Sequence, residues 1–148
     1  MADDYVLADS GVVSRLTSVT EHAKAYQGWL GERRVAINFQ TEAELRSWKY
    51  AEERMQRLLD LIGMLLKLPQ SEATIVRYVE VADRRREFQR INHAAGNAGD
   101  GDVWIISSAL EYGLVLFSHD GSVVHLGRAM GLQVFTNLPD LRGGNPRL

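Results

Sequence analysis

Short apolar runs alternate with longer stretches of helical periodicity along this chain, and that alternation is the tightest constraint on its fold. Residues 5–8, 35–39, 66–69, 114–117 and 132–135 read as strands, short enough to lie buried in a sheet. Helices are expected between them. One helical turn at 12–16 and a helix over 21–30, closed by Gly31, follow the first run. Thr41, with Glu44 three residues on, has the spacing of a capping box and opens a helix to about Trp48. A further helix covers 51 to about 65, and Ser71 reads as the N-cap of a long helix over 72–90. The glycine- and asparagine-rich stretch 92–101 reads as a loop. Asp102 then caps a helix ended by Gly113, and a last helical segment reaches about Met130. Strands that alternate with helices pair in parallel through right-handed crossovers. The expected architecture is one three-layer α/β/α domain with a mostly parallel central sheet.

The chain has 148 residues, room for one such domain and not comfortably for two. Residues 1–140 are expected to form it. That leaves 141–148, with Gly143-Gly144-Asn145-Pro146, as a flexible tail. There is no cysteine, which excludes a disulfide framework, a thiolate zinc site and a thiol nucleophile. The formal net charge of −2 gives no general attraction to nucleic acid, so any basic footprint must be local. The opening Met1-Ala2-Asp3-Asp4 is the opposite of a basic signal-peptide start. The densest apolar stretch, 58–68, is interrupted by Asp60 and Lys67 and is too short to span a bilayer. No membrane partner is expected, and a cytoplasmic location is.

Acids fall where an open parallel sheet holds its ligands, beyond the carboxyl ends of the strands. Asp9 follows the first strand, and Asp120 follows the 114–117 strand. Glu44 is expected in the first turn of the helix after the second strand, within reach of the same edge. Asp102 starts the helix that runs towards the 114–117 strand from the opposite edge, and spacing alone does not bring it to the others. Several carboxylates in one crevice need a cation, and hard oxygen donors suit magnesium or manganese. Such a site can act on a phosphodiester. Taken singly, each acid is more readily a helix-start residue offsetting the dipole or a plain turn residue than a ligand.

The block from Gly101-Asp102-Val103-Trp104 through Ala109-Leu110, Gly113 and Leu114-Val115-Leu116-Phe117 to Ser118-His119-Asp120 resembles the C-terminal half of PIN-domain ribonucleases. Val6-Leu7-Ala8-Asp9-Ser10 resembles the first strand and acid of that family, and Phe39-Gln40-Thr41-Glu42-Ala43-Glu44-Leu45 its second motif. The three occur in the family's order, over about residues 5–138, and are most similar to VapC-type toxins of type II toxin–antitoxin systems. The resemblance implies a PIN-like fold with Asp9, Glu44, Asp102 and Asp120 as catalytic, metal-binding acids, Asp102 included. It implies Ser10 as a supporting hydroxyl and Mg²⁺ or Mn²⁺ as cofactor. The implied activity is endoribonucleolytic cleavage of structured RNA such as transfer or ribosomal RNA. The implied partners are the RNA, a cognate antitoxin protein that blocks the crevice, and a second copy in a homodimer. The chain departs from the family pattern at Gly11, where Asn or Ser is usual, and at Ser122, where many members carry a further acid. These departures keep a second reading open, a PIN-fold module that binds RNA or protein without cutting.

Other residues carry weaker signals. Arg15, beside the first motif, is placed to bind a substrate phosphate. Arg84-Arg85-Arg86 with Arg90, and Arg33-Arg34, are either phosphate ligands or solvated faces neutralised by Glu80, Asp83 and Glu87. Residues 55–68 are apolar on more than one stripe, so that helix wants a second neighbour, either the core or a partner. His119 and His125 read as structural or surface groups. Of Trp29, Trp48 and Trp104, Trp104 reads as core and Trp48 as the candidate to stack on a base.

Overall fold

The computed structural model describes residues 5–31 and 33–147. Five strands form the sheet: β1 (Tyr5–Ala8), β2 (Arg34–Asn38), β3 (Leu66–Leu68), β4 (Val115–Phe117) and β5 (Val134–Phe135). Their order is β3-β2-β1-β4-β5, and each pairing is parallel. Seven α-helices connect them: α1 (Ser10–Leu16), α2 (Glu21–Leu30), α3 (Phe39–Ser47), α4 (Glu52–Met64), α5 (Glu72–Arg90), α6 (Asp100–Tyr112) and α7 (Gly121–Ala129).

Side chains alternate across a pleated strand, and here the alternation feeds two cores. Leu7, Ala36, Leu116 and Val134 point to the side where Val81 of α5, Ile106 of α6 and Val123 of α7 lie buried. Val6, Ala8, Ile37, Phe117 and Phe135 point to the other, against Val13 of α1, Tyr26 of α2, Leu45 of α3 and Leu58 of α4. The register matches the faces, with Leu7 paired to Ala36 and Leu116, and Ala8 to Phe117. The result is the expected three-layer α/β/α sandwich, and its sheet is parallel throughout.

Several helix starts differ from the sequence reading, at α1 and α3 because a nearer side chain caps the helix, and at α6 because Asp102 reaches back to the residue before it. Asp9 accepts Val12 N–H at 3.0 Å, so α1 opens at Ser10 rather than Val12. Asn38, the last residue of β2, accepts Thr41 N–H at 2.8 Å. The chain passes from β2 into α3 without a loop, Thr41 is not the cap, and Glu44 sits a turn further into the helix. Gly99 occupies the N-cap position of α6, and Asp102 lies inside that helix, its Oδ2 accepting Gly99 N–H at 2.9 Å. The expected 92–101 loop contains a 3-10 turn, Ala94–Asn97.

The segment expected as a flexible tail from 141 is tied down as far as Asn145. Pro139–Gly144 form a 3-10 turn. Asn145 Oδ1 accepts Thr136 N–H at 2.9 Å and an Arg128 N–H at 3.1 Å, while another Arg128 nitrogen donates to Leu141 C=O at 2.8 Å. Those partners lie outside the segment, so its glycine content gives no sign of them. Leu148 lies outside the described residues. In α4, Leu58 and Ile62 are buried while Leu59 and Met64 are exposed, so only part of its wide apolar surface faces the core. No helix of the described residues is long and apolar enough to cross a membrane.

Candidate active site

From β1 the chain passes towards β2 and β3 on one side, and β4 and β5 lie on the other. Strand order therefore reverses between β1 and β4, and the crevice beyond the carboxyl ends at such a point is where open α/β sheets bind ligands. Asp9 and the Ser118-His119-Asp120 turn flank it. Asp9 N–H donates to Phe117 C=O at 3.0 Å, continuing the β1–β4 ladder by one residue. Its Oδ2 accepts the Ser118 hydroxyl, whose oxygen also accepts Asp120 N–H at 3.1 Å. Asp120 Oδ1 caps α7 through Ser122 N–H at 2.8 Å and Val123 N–H at 3.3 Å.

A helix connecting parallel strands runs against them. α6 delivers the chain to the start of β4, so α6 itself begins at the edge where the strands end. That is the correction to placing its start at the opposite edge. Asn38 of β2 donates to Ser108 Oγ at 3.2 Å and ties α6 to the strand. Gly101 permits a close approach to α3, because a Cβ there would stand 2.7 Å from Glu44 Oε1 as it lies.

These elements enclose a cavity of about 250 Å³ whose lining includes Asp9, Glu44, Asp102 and Asp120, together with Ser10, Arg15, Trp48 and His119. All the acids singled out in the sequence reach one pocket, as do Ser10 and Arg15. Asp9 is buried, Glu44 and Asp102 are half-buried, and Asp120 stands at the open rim. Their charges act on one another. Burial, above all, raises the Asp9 carboxyl to about 6, and Asp120 and Asp102 push it the same way against the hydrogen bonds from Ser118 and Val12. Asp102 is also raised, first by burial and then by Asp120 and Glu44, against the Gly99 N–H and Arg85.

The donor set is four carboxylates without thiolate or imidazole pairs, which fits a hard divalent cation and not zinc. As they lie, the carboxylates line the cavity without closing on one point. Among the described residues no three acidic or histidine side chains stand at ligating geometry. Each acid instead accepts a hydrogen bond nearby, Glu44 Oε1 from Gln40 Nε2 at 3.3 Å.

No family model matches the chain, and no curated protein sequence does. Solved structures do match its fold. A chain of VapBC2 from Rickettsia felis, bound to a DNA fragment from the promoter, superposes with a TM-score of 0.67 at 18% identity, over 89% of this chain and 98% of that one. DNA-bound VapBC from Salmonella typhimurium gives 0.65 at 19%, over 90% and 98%. VapBC-1 from nontypeable Haemophilus influenzae gives 0.64 at 20%, over 89% and 97%. The chain has a PIN-like fold. At these identities the likeness establishes the architecture, and the chemistry of this PIN-like domain is argued from its own residues.

Ser118 and Tyr26 escaped the sequence reading, and His119 was read as a structural or surface group. Ser118 bridges Asp9 and the Asp120 backbone, and its signal was only its position directly after β4. His119 lines the cavity, its Nδ1 paired with Tyr26 hydroxyl at 2.9 Å. Burial first, then Arg15 and His22, lower its pKa to about 4, so the imidazole is neutral at physiological pH. Tyr26 itself lies in α2, far from any motif, and its hydroxyl also accepts Asn137 N–H at 3.1 Å.

Proposed function

We propose that this chain is a divalent-metal-dependent endoribonuclease and the toxin half of a toxin–antitoxin pair. The observation that carries the reading is the arrival of Asp9, Glu44, Asp102 and Asp120 in one cavity at the strand-order reversal. Four anions held together by a rigid fold are costly unless a cation joins them.

Asp9, Glu44, Asp102 and Asp120 would hold Mg²⁺ or Mn²⁺. When bound, the ion supplies Lewis-acid polarisation of a phosphodiester and offsets the charge that develops on it. Asp9 is the anchor, because Ser118 and the α1 backbone fix both its oxygens. Asp120, at the rim, retains an oxygen outside its capping bonds to orient an attacking water. Arg15, whose Nη1 donates to Gly11 C=O at 3.0 Å, presents the rest of its guanidinium to a substrate phosphate. Ser10 adds a hydroxyl to the wall. Neutral His119 can accept a proton but brings no positive charge.

The substrate class is structured RNA such as transfer or ribosomal RNA. Proteins of the same fold occur in VapBC and FitAcB structures and in a toxin–antitoxin complex from Klebsiella pneumoniae. An antitoxin protein that covers the cavity, a homodimer and action in the cytoplasm complete the reading. One observation favours the non-cutting alternative, since each acid already serves a local hydrogen bond.

The same experiment separates the two. Purified chain is incubated with RNA and Mg²⁺, beside Asp9→Asn and beside an EDTA control. Cleavage that needs both the metal and Asp9 supports the nuclease. Equal, EDTA-insensitive signal from the two proteins removes it.

A further inference from the structure

A second cavity, of about 440 Å³, adjoins the acidic one and shares Gly11, Arg15 and Trp48 with it. Its chemistry is the reverse. Arg54 of α4 enters from the far side, stacked 3.9 Å from the Tyr50 ring centroid. Its Nε donates to Thr17 Oγ1 and its Nη2 to Ser14 Oγ, both at 3.2 Å. Three exposed arginines of α5 are paired, Arg77 with Glu80, Arg84 with Glu87 and Arg86 with Asp83, while Arg90 at its end lies on an open face. Among the described residues neither Arg15 nor Arg54 forms an ion pair. Arg54 Nη2 also donates to Ser14 C=O at 3.2 Å, and Arg15 Nη1 to Gly11 C=O at 3.0 Å. Arg54 Nη1 and Arg15 Nε and Nη2 are therefore their nitrogens without a hydrogen bond among the described residues, in a cavity lined by no acid. Two half-buried guanidiniums with spare donors suit an anionic ligand. Trp48 separates the two cavities and meets Tyr50 edge-to-face, ring centroids 6.0 Å apart. It is half-buried and lines both pockets.

We propose that this second cavity seats the nucleotide adjoining the one whose phosphodiester lies at the acids. Arg15 and Arg54 hold the neighbouring phosphate, and Trp48 stacks on a base. The ligand class is unpaired RNA, a single strand or the loop of a structured RNA, because stacking requires an unpaired base and a duplex hides its π-faces. The inference rests on the nuclease reading for what occupies the first cavity. An acidic peptide could satisfy the arginines, but it would leave the Trp48 face unused.

The test uses the full chain carrying Asp9→Asn, so that RNA stays intact, with a fluorescent single-stranded oligoribonucleotide and Mg²⁺. Affinity is measured by anisotropy across a salt series. Arg54→Gln is expected to weaken binding about tenfold and to flatten the log K against log salt slope by about 0.7, the loss of one phosphate contact. Arg54→Lys keeps the slope. Trp48→Ala is expected to weaken binding about tenfold with the slope unchanged, and Trp48→Phe to retain most of it. Circular dichroism melts confirm folding, and the lysine and phenylalanine variants preserve the test if either truncation unfolds. Unchanged affinity and slope in both truncations, while the wild-type chain still cuts RNA, would overturn the subsite and leave the nuclease standing. Displacement of the oligonucleotide by polyglutamate, equally well from the Trp48→Ala chain, would assign the cavity to an acidic peptide and also overturn it. A wild-type chain that neither cuts nor binds RNA defeats both readings together.

Discussion

Two regions of this protein are dense in charge, and they are built on opposite rules. On α5 the charges lie on an exposed face and neutralise each other at short range, Arg77 with Glu80, Arg84 with Glu87 and Arg86 with Asp83. At the β1–β4 edge, four carboxylates share a partly buried cavity, where burial first and the neighbouring acids second raise the proton affinity of Asp9 and Asp102. The first pattern solvates a helix and contributes little, since exposed ion pairs are worth about 0–1 kcal/mol. The second opposes folding unless something positive arrives. A run of three arginines is the louder signal in the sequence, but the isolated acids, one per element, mark the site.

The sharpest way to break that contrast is to neutralise one member of each region. Asp9→Asn is expected to lower RNA cleavage at least 100-fold in a gel or fluorogenic assay with Mg²⁺. Cleavage within a fewfold of wild type would remove Asp9 from the chemistry. The same substitution should stabilise the metal-free fold. The folded-state carboxyl titrates near 6 and the unfolded one near 3.8, so the folded state binds the proton more tightly. Wild-type stability therefore rises as pH falls through about 6 towards 4, and burying the anion costs stability above 6. Asn retains a capping oxygen and carries no charge. It is expected to gain roughly 1–3 kcal/mol at pH 7.5 in EDTA, with the gain shrinking below pH 6, read from chemical denaturation at several pH values. A destabilised Asp9→Asn would show that the acids are not in electrostatic conflict.

Mg²⁺ should act in the same direction as that substitution. At about 100 times its dissociation constant it is expected to add roughly 2.7 kcal/mol to the wild type, reversed by EDTA, and much less to Asp9→Asn. Thermal melts with and without the ion check this. The smallest effect belongs to α5. Arg84→Gln and Arg86→Gln should each change stability by less than about 0.5 kcal/mol and leave cleavage unaltered. A large loss of RNA cleavage there would move the substrate footprint to α5.

What the sequence disclosed follows the range of the interactions. Ser71 with Thr74 caps α5, and its span Glu72–Arg90 was readable because those contacts are local. Gly113, in the left-handed region at φ 65°, marks the end of α6 for the same reason. The expected starts at Val12 and Thr41 moved to Ser10 and Phe39 because Asp9 and Asn38 cap the orphan N–H groups first, and the start expected at Asp102 moved to Asp100 because Asp102 accepts the Gly99 N–H from inside the helix. Asp9, Glu44, Asp102 and Asp120 were legible as acids near element ends. That all of them line one cavity depended on strand order and on the direction of α6, which no local pattern encodes. Ser118 reaches Asp9 from more than a hundred residues away, and Asn145 reaches back to Thr136 and Arg128, so neither contact left a trace in composition.

The proposed function stands or falls with one divalent-cation site served by the four carboxylates. A crystal of the full chain soaked in Mn²⁺, with anomalous differences measured at a wavelength where manganese scatters, tests it directly. A peak is expected in the cavity within ligating distance of Asp9 and at least one of Asp102, Asp120 and Glu44, absent from Asp9→Asn crystals. Density with no manganese there, at a concentration that supports RNA cleavage, would contradict it.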